Sequence, residues 1–451
     1  MYRTKWLALL AIIFSSSHAF SQSELSRQLQ QKLSTRKATK SATESQAPTE
    51  NPGASLERFQ AKTPTEFTES LHLAVATKNL EAYNGLVSWG TILNSATSNL
   101  QGKQIDEFRT TFAKDIKSTN SLGAKIIQTV KSGGTYEFLQ LTKNKNTVVA
   151  IFRMLLPGGK GVNYHEYALA KTKAGQVVAS DIYVYLTGEN LSKTIRRNLV
   201  SALSDQETGS SVKLSGKDEL LSDHVATIKS LNEALAKSDA NGARTQILKL
   251  PMELRNDKAI QALTLNVYRN SKSFKTVLGG VRKACPDDVF MDMIAIDVMV
   301  RQKQYDDAIT AIERINTKVG GDPYMKILHG RMLLNKGDEK NGRRLIQESV
   351  SEDDGILTGY WSLVSFSLKD KDHAQTLKLL KKIHLRFGVK FKDLRDIPSY
   401  KTFVTSVEFQ QWTKYLESSE VSAPESDPKS EGESTTASKS RTASQLNSQN
   451  K

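Results

Sequence analysis

The side chains able to do chemistry in this 451-residue chain are seven histidines, one cysteine, 48 acidic residues and 63 lysines and arginines. Their spacing decides what they could carry. The histidines stand at 18, 72, 165, 224, 329, 373 and 384. No two of them share one helix face at metal-ligand spacing, and His165-Glu166 lacks the second histidine that a zinc-binding helix places four residues after the first. A lone Cys285 excludes an intrachain disulfide and any cysteine-rich zinc or iron–sulfur cluster. There is no Gly-x-Ser-x-Gly elbow for a nucleophilic serine. Pro157-Gly158-Gly159-Lys160-Gly161 lacks the spacing of a phosphate loop and reads as a hairpin turn. The acidic pairs Asp287-Asp288, Asp306-Asp307 and Asp353-Asp354 fall where helices should start, so they read as caps and first-turn residues that complement the helix dipole. The expectation is a chain with no catalytic set, no metal centre and no cofactor.

Two constellations stand above that background. His165, Tyr167, Asp181 and Tyr183 fall in neighbouring segments of strand character, where they could line a ligand cavity or a sheet face. Lys378, Lys381, Lys382 and Arg386 lie in one polar stripe of a helix whose Leu380, Ile383 and Phe387 occupy the opposing side. Such a stripe fits an acidic partner or an anionic surface.

The elements that must position these residues follow from composition and periodicity. Residues 1–21 pass from Arg3 and Lys5 through the apolar stretch Trp6–Phe14 to small residues ending in Ala19-Phe20-Ser21, the order of a secretory signal peptide. The apolar run is too short to span a bilayer, and no later stretch is long enough, so an exported protein, periplasmic or extracellular, is expected. Residues 22–60 and 417–451 are polar, poor in large apolar residues and expected to be a disordered linker and tail. Between them lie a block at 61–205 and a block at 219–416, joined by a polar linker at 206–218. The formal charge of +15 is spread over both blocks, which does not make a nucleic-acid footprint.

In 61–205, Phe67, Leu71, Val75 and Leu80 mark one helical face, with Phe108, Phe112 and Ile116 on another. The period then changes to two. Strands are expected at 125–131, 135–141, 147–156, 162–170 and 177–186, and a closing helix from Asn190 through Ile195 and Leu199. In 219–416 a small or medium residue recurs at Ala243, Val277, Ala308, Gly342 and Thr376. Ile247, Val281, Ile312, Ile346 and Leu380 follow four residues later, and Leu231, Leu265, Ile296, Gly330 and Val364 precede by twelve. Three aligned columns over five copies predict five stacked helical hairpins, with turns such as Asn335–Asp338 and Lys369–Asp372 and a groove on one side. Phe409, Trp412 and Leu416 should cap the open end.

Initial helices followed by a strongly bent antiparallel sheet resemble the NTF2-like and cystatin-like cone folds, and the resemblance implies a conical interior that holds a ligand, an active site or a core. The 34-residue spacing, with Gly330 and Gly342 in the fourth unit, Tyr305 and Ala308 in the third and Tyr360 and Leu363 in the fifth, resembles the tetratricopeptide repeat superfamily. The fold class expected is therefore an α+β curved-sheet domain followed by an all-α solenoid. The function expected is that of an exported, non-catalytic binding or scaffold protein with a protein partner, acidic if the lysine stripe is the contact. The alternative is a small-molecule-binding or enzymatic curved-sheet domain that the repeats dock to a partner.

Overall fold

The computed structural model describes residues 59–115, 121–159, 161–204, 212–284 and 288–421. The expectations for residues 1–21, 22–58 and 422–451, and those for Ile116, Lys160 and Cys285, lie outside the described residues.

The first block opens with five helices: α1 Pro64–Ala76, α2 Leu80–Gly85, α3 Trp89–Ala96, α4 Lys103–Asp115 and α5 Leu122–Lys131. Phe67, Leu71 and Val75 are buried along α1, whose first turn is capped by the Thr63 hydroxyl. Leu80, expected on the same face, instead opens α2, because the left-handed Lys78 ends α1 and Asn79 caps a new helix. The segment expected as a first strand, 125–131, is the second half of α5. Its β-branched Ile126, Ile127 and Val130 suggest a strand. The helical spacing of Leu122, Ile126 and Val130, the Ser121 cap on Ala124 and the approach of Gly123 to the Tyr83 ring settle it as helix.

Five antiparallel strands follow in simple up-and-down order: β1 Thr135–Asn144, β2 Thr147–Leu155, β3 Val162–Lys171, β4 Val177–Val184 and β5 Glu189–Asn190. The β2–β3 connection is the expected tight turn, with Gly158, Gly159 and Gly161 in left-handed conformations. Bulges interrupt the register between Phe138 and Gln140 in β1 and opposite Ala168–Leu169, where β4 carries the extra Ser180. Such insertions bend a sheet. Its concave face closes over α1, α2, α5 and the closing helix α6 Leu191–Ser204, burying Phe152, Tyr136, Tyr167, Ile182 and Val184 against Phe67, Tyr83, Ile126 and Leu199.

The second block begins with α7 Lys217–Asp223. Five helix pairs follow: α8 Val225–Ala236 with α9 Ala240–Lys249; α11 Lys258–Tyr268 with α12 Phe274–Ala284, after the one-turn α10 Met252–Arg255; α13 Phe290–Arg301 with α14 Tyr305–Lys318; α15 Pro323–Lys336 with α16 Glu339–Glu352; and α17 Leu357–Lys369 with α18 His373–Phe387. Each expected column lands on its helix. Four of the five turns share one device, a left-handed residue at Ser238, Lys303, Gly337 or Lys371 just before the next helix. Gly330 and Gly342 meet where α15 and α16 cross. A Cβ on either would lie 2.7 Å from the other's carbonyl oxygen, so only glycine permits this approach. The last helix, α19 Val407–Val421, continues past residue 416 and buries Phe409 and Trp412 against the α17–α18 pair.

The outer face of the sheet is also covered. Val149, Ile151, Leu155, Val162, Tyr164 and Tyr185 share one core with Phe290, Met291, Val319 and Ile327 of the array. The contact runs along the corners between repeats, where the first helix of each pair begins.

Candidate functional site

His165 and Tyr167 are two residues apart on β3 and so share a face. Both are fully buried on the concave side. Around them the polar groups close a chain. The Asn163 side-chain oxygen accepts from the backbone N–H of Tyr164 at 2.9 Å and of Leu186 at 3.0 Å. That pairing turns the Asn163 amide nitrogen toward His165 Nε2, 3.0 Å away. Because an amide NH₂ can only donate, Nε2 accepts and the proton sits on Nδ1, which donates to the Tyr136 hydroxyl at 3.0 Å. Tyr136 and Tyr167 hydroxyls are 2.6 Å apart, and Tyr167 and Tyr83 hydroxyls 3.0 Å apart. Burial depresses the His165 pKa to about 3 and raises those of Tyr83, Tyr136 and Tyr167 well above the usual phenol value, so every member is neutral. The conical interior expected as a ligand cavity is occupied at this point by its own side chains.

Asp181 and Tyr183 lie on the opposite face, because β4 pairs Ile182 with Tyr167 and Tyr183 with Glu166. The four residues expected as one cavity lining are therefore split two and two by the pleat. Asp181 and Tyr183 line an outer cleft of about 650 Å³ between the sheet and the array, together with Glu166, Tyr185, Lys258 and Asp288. Its polar groups largely serve each other. Asp181 accepts from Ser192 Oγ at 2.5 Å and from the backbone N–H of Ile182 and Ser192. Tyr185 donates to Glu166 at 2.5 Å, and Tyr183 to Asp288 at 3.2 Å. Lys258 pairs with Asp288 and lies 5.7 Å from the centre of the Tyr183 ring. Burial, reinforced by Asp288 for Tyr183 and by Glu166 for Tyr185, pushes both phenols up and keeps them donors.

Deeper in the same interface, Arg153 is 1 % exposed and bridges Asp322 at 2.7 Å and Asp353 at 2.6 Å. Tyr164 donates to the second Asp322 oxygen at 2.6 Å, and the Tyr324 N–H donates to the first. Burial opposes the guanidinium charge, yet the two carboxylates more than offset it and hold Arg153 protonated. The acidic residues 288, 322 and 353 thus fasten sheet to array. Reasoning from the sequence missed this role, although a column was there to read: Asp223, Asp257, Asp288, Asp322 and Asp353 recur at the repeat corners. Asp257 and Asp322 cap the first turns of α11 and α15.

The lysine stripe of α18 divides. Lys381 lies 5.0 Å from the centre of the Tyr415 ring of α19, and Arg386 pairs with Asp354 at 2.5 Å. Lys378 and Lys382 are exposed along a groove of about 570 Å³ between α16 and α18. Lys382 lies 5.0 Å from the centre of the Tyr360 ring in its floor.

Among the described residues no three His, Cys, Asp or Glu side chains converge to hold a metal ion, and no helix is long and apolar enough to cross a membrane. Neither a family model, nor a curated protein, nor a solved structure matches this chain.

Proposed function

We propose that this chain is an exported, non-catalytic binding or scaffold protein, whose helical array, of tetratricopeptide type, presents the recognition surface and whose NTF2-like sheet block braces it. The observation that carries this reading is the filled interior of the sheet block. There Asn163, His165, Tyr136, Tyr167 and Tyr83 satisfy one another where the alternative reading would place a ligand or a reaction. Much of the outer sheet face packs against the array, and in the cleft that remains beside it Asp181, Tyr183 and Tyr185 are already hydrogen-bonded within the chain. What stays open on the array is extended helical surface, the kind repeat proteins use to hold segments of other proteins.

The test uses the purified protein in two arms. Affinity capture from exported material should recover a protein partner, and a panel of small molecules should leave the melting temperature unchanged. A small molecule that raises the melting temperature would overturn the reading. If its effect vanished in Tyr167→Phe the function would move to the sheet interior, and if it vanished in Tyr183→Phe, to the outer cleft.

A further inference from the structure

We infer that the groove between α16 and α18 docks an acidic peptide segment of a partner protein, one with a carboxylate next to an aliphatic side chain. The inference deepens the binding-module reading and rests on it. Charge comes first. The acidic groups at the groove's edge are already answered, Glu352 by Lys326 at 2.5 Å and Asp354 by Arg386 at 2.5 Å. Lys378 and Lys382 line the same groove, and no carboxylate among the described residues pairs with either. The groove therefore offers two uncompensated ammonium groups four residues apart on one helix line, able to meet a carboxylate together.

The floor supplies the second observation. Tyr360 is 2 % exposed, lines the groove and has a hydroxyl without a hydrogen-bond partner. A buried hydroxyl of this kind is nearly always satisfied, and a peptide carbonyl or carboxylate oxygen entering the groove would satisfy it once the flexible Lys382 swings aside. The groove is also lined by Val350, Leu363 and Leu379 among its polar groups, an apolar contribution that a peptide side chain can use and a free inorganic anion cannot. The chain's own C-terminal segment is acidic through Glu425, Asp427, Glu431 and Glu433 but carries no large apolar residue between 422 and 445, so it lacks the anchor.

A random peptide library displayed on phage and selected against the purified protein tests this directly. The enriched peptides should place Asp or Glu beside Leu, Ile, Val or Met. A synthetic copy of the best should lose about tenfold in affinity to Lys378→Glu/Lys382→Glu and roughly threefold to Tyr360→Phe. Its binding to wild type should weaken as salt rises from about 0.05 to 0.3 M. Unchanged melting of the variants controls for folding. Enriched peptides without acidic residues, or no enrichment at all, would overturn the inference. So would a peptide copied from residues 22–58 or 422–436 that competed as well as the selected one, because the occupant would then be the chain itself. Peptides that bind the charge-reversed variant undiminished would remove the groove while leaving the array a binding module; that wider reading fails separately, when no partner is captured by the whole protein.

Discussion

Replacing His165 by Gln should flatten the acid side of this protein's stability curve. In the folded chain the imidazole has a pKa of about 3 against an ordinary 6.5, because burial disfavours its charge and no carboxylate stands among its hydrogen-bond partners. Protonation would also turn Nε2 into a donor facing the Asn163 NH₂, so the chain of hydrogen bonds cannot accept the charge. The unfolded chain binds the proton and the folded chain does not, so stability falls as pH falls below about 6.5 and the loss saturates only near 3. Between pH 7 and pH 5 the unfolded histidine gains about 0.7 proton and the folded one almost none, which costs about 2 kcal/mol, and the full difference approaches roughly 5 kcal/mol. His165→Gln keeps an acceptor and a donor but cannot charge. Guanidinium unfolding of both proteins at pH 7, 6 and 5 should show wild type losing about 2 kcal/mol more than the variant over that interval. Parallel curves for the two would refute the neutral, closed network and reopen the sheet interior as a place for ligands.

Three further outcomes are expected. Arg153→Ala leaves Asp322 fully buried without its counter-charge and should cost about 3–5 kcal/mol in denaturant unfolding. Gly342→Ala puts a methyl 2.7 Å from the Gly330 oxygen and should cost about 1–3 kcal/mol, whereas Gly279→Ala, in helix α12 with open space around it, should be neutral or stabilising in the same melt. Ala308→Arg, at a fully buried position on α14, should cost roughly 3 kcal/mol or more, and a melt within a degree of wild type would break the repeat register.

The array was legible because its signal is redundant. Ala308, Gly342 and Thr376 repeat one packing requirement, so a single aligned column places a helix. The strands were legible from their period of two, but α5 was not, since Ile126 and Ile127 are adjacent and β-branched and the deciding contact, Gly123 on Tyr83, comes from a residue 40 positions earlier. The division of the four candidate cavity residues between two faces was hidden for a simpler reason. His165 and Tyr183 are each one step out of phase with the other across the β3–β4 register, and that register depends on a bulge at Ser180 which nothing in the local pattern announces. The stripe on α18 was visible as a pattern of lysines, yet which of them are free depends on Asp354 and Tyr415, contributed by neighbouring elements.

The sheet that closes one core and opens onto another has a consequence for how this chain can be inherited. Arg153 and its partners Asp322 and Asp353 are separated by 169 and 200 positions, yet Arg153 cannot change alone without stranding the buried Asp322 charge. Recombination that exchanged the array for a foreign one would strip Val149, Ile151 and Tyr164 of their cover and leave an apolar patch on an otherwise finished sheet. The two halves should therefore travel through evolution as a single gene segment. Drift at the repeat corners should be matched by drift on β2 and β3, and variation should run more freely on exposed helix faces that neither lean on the other half nor line a groove.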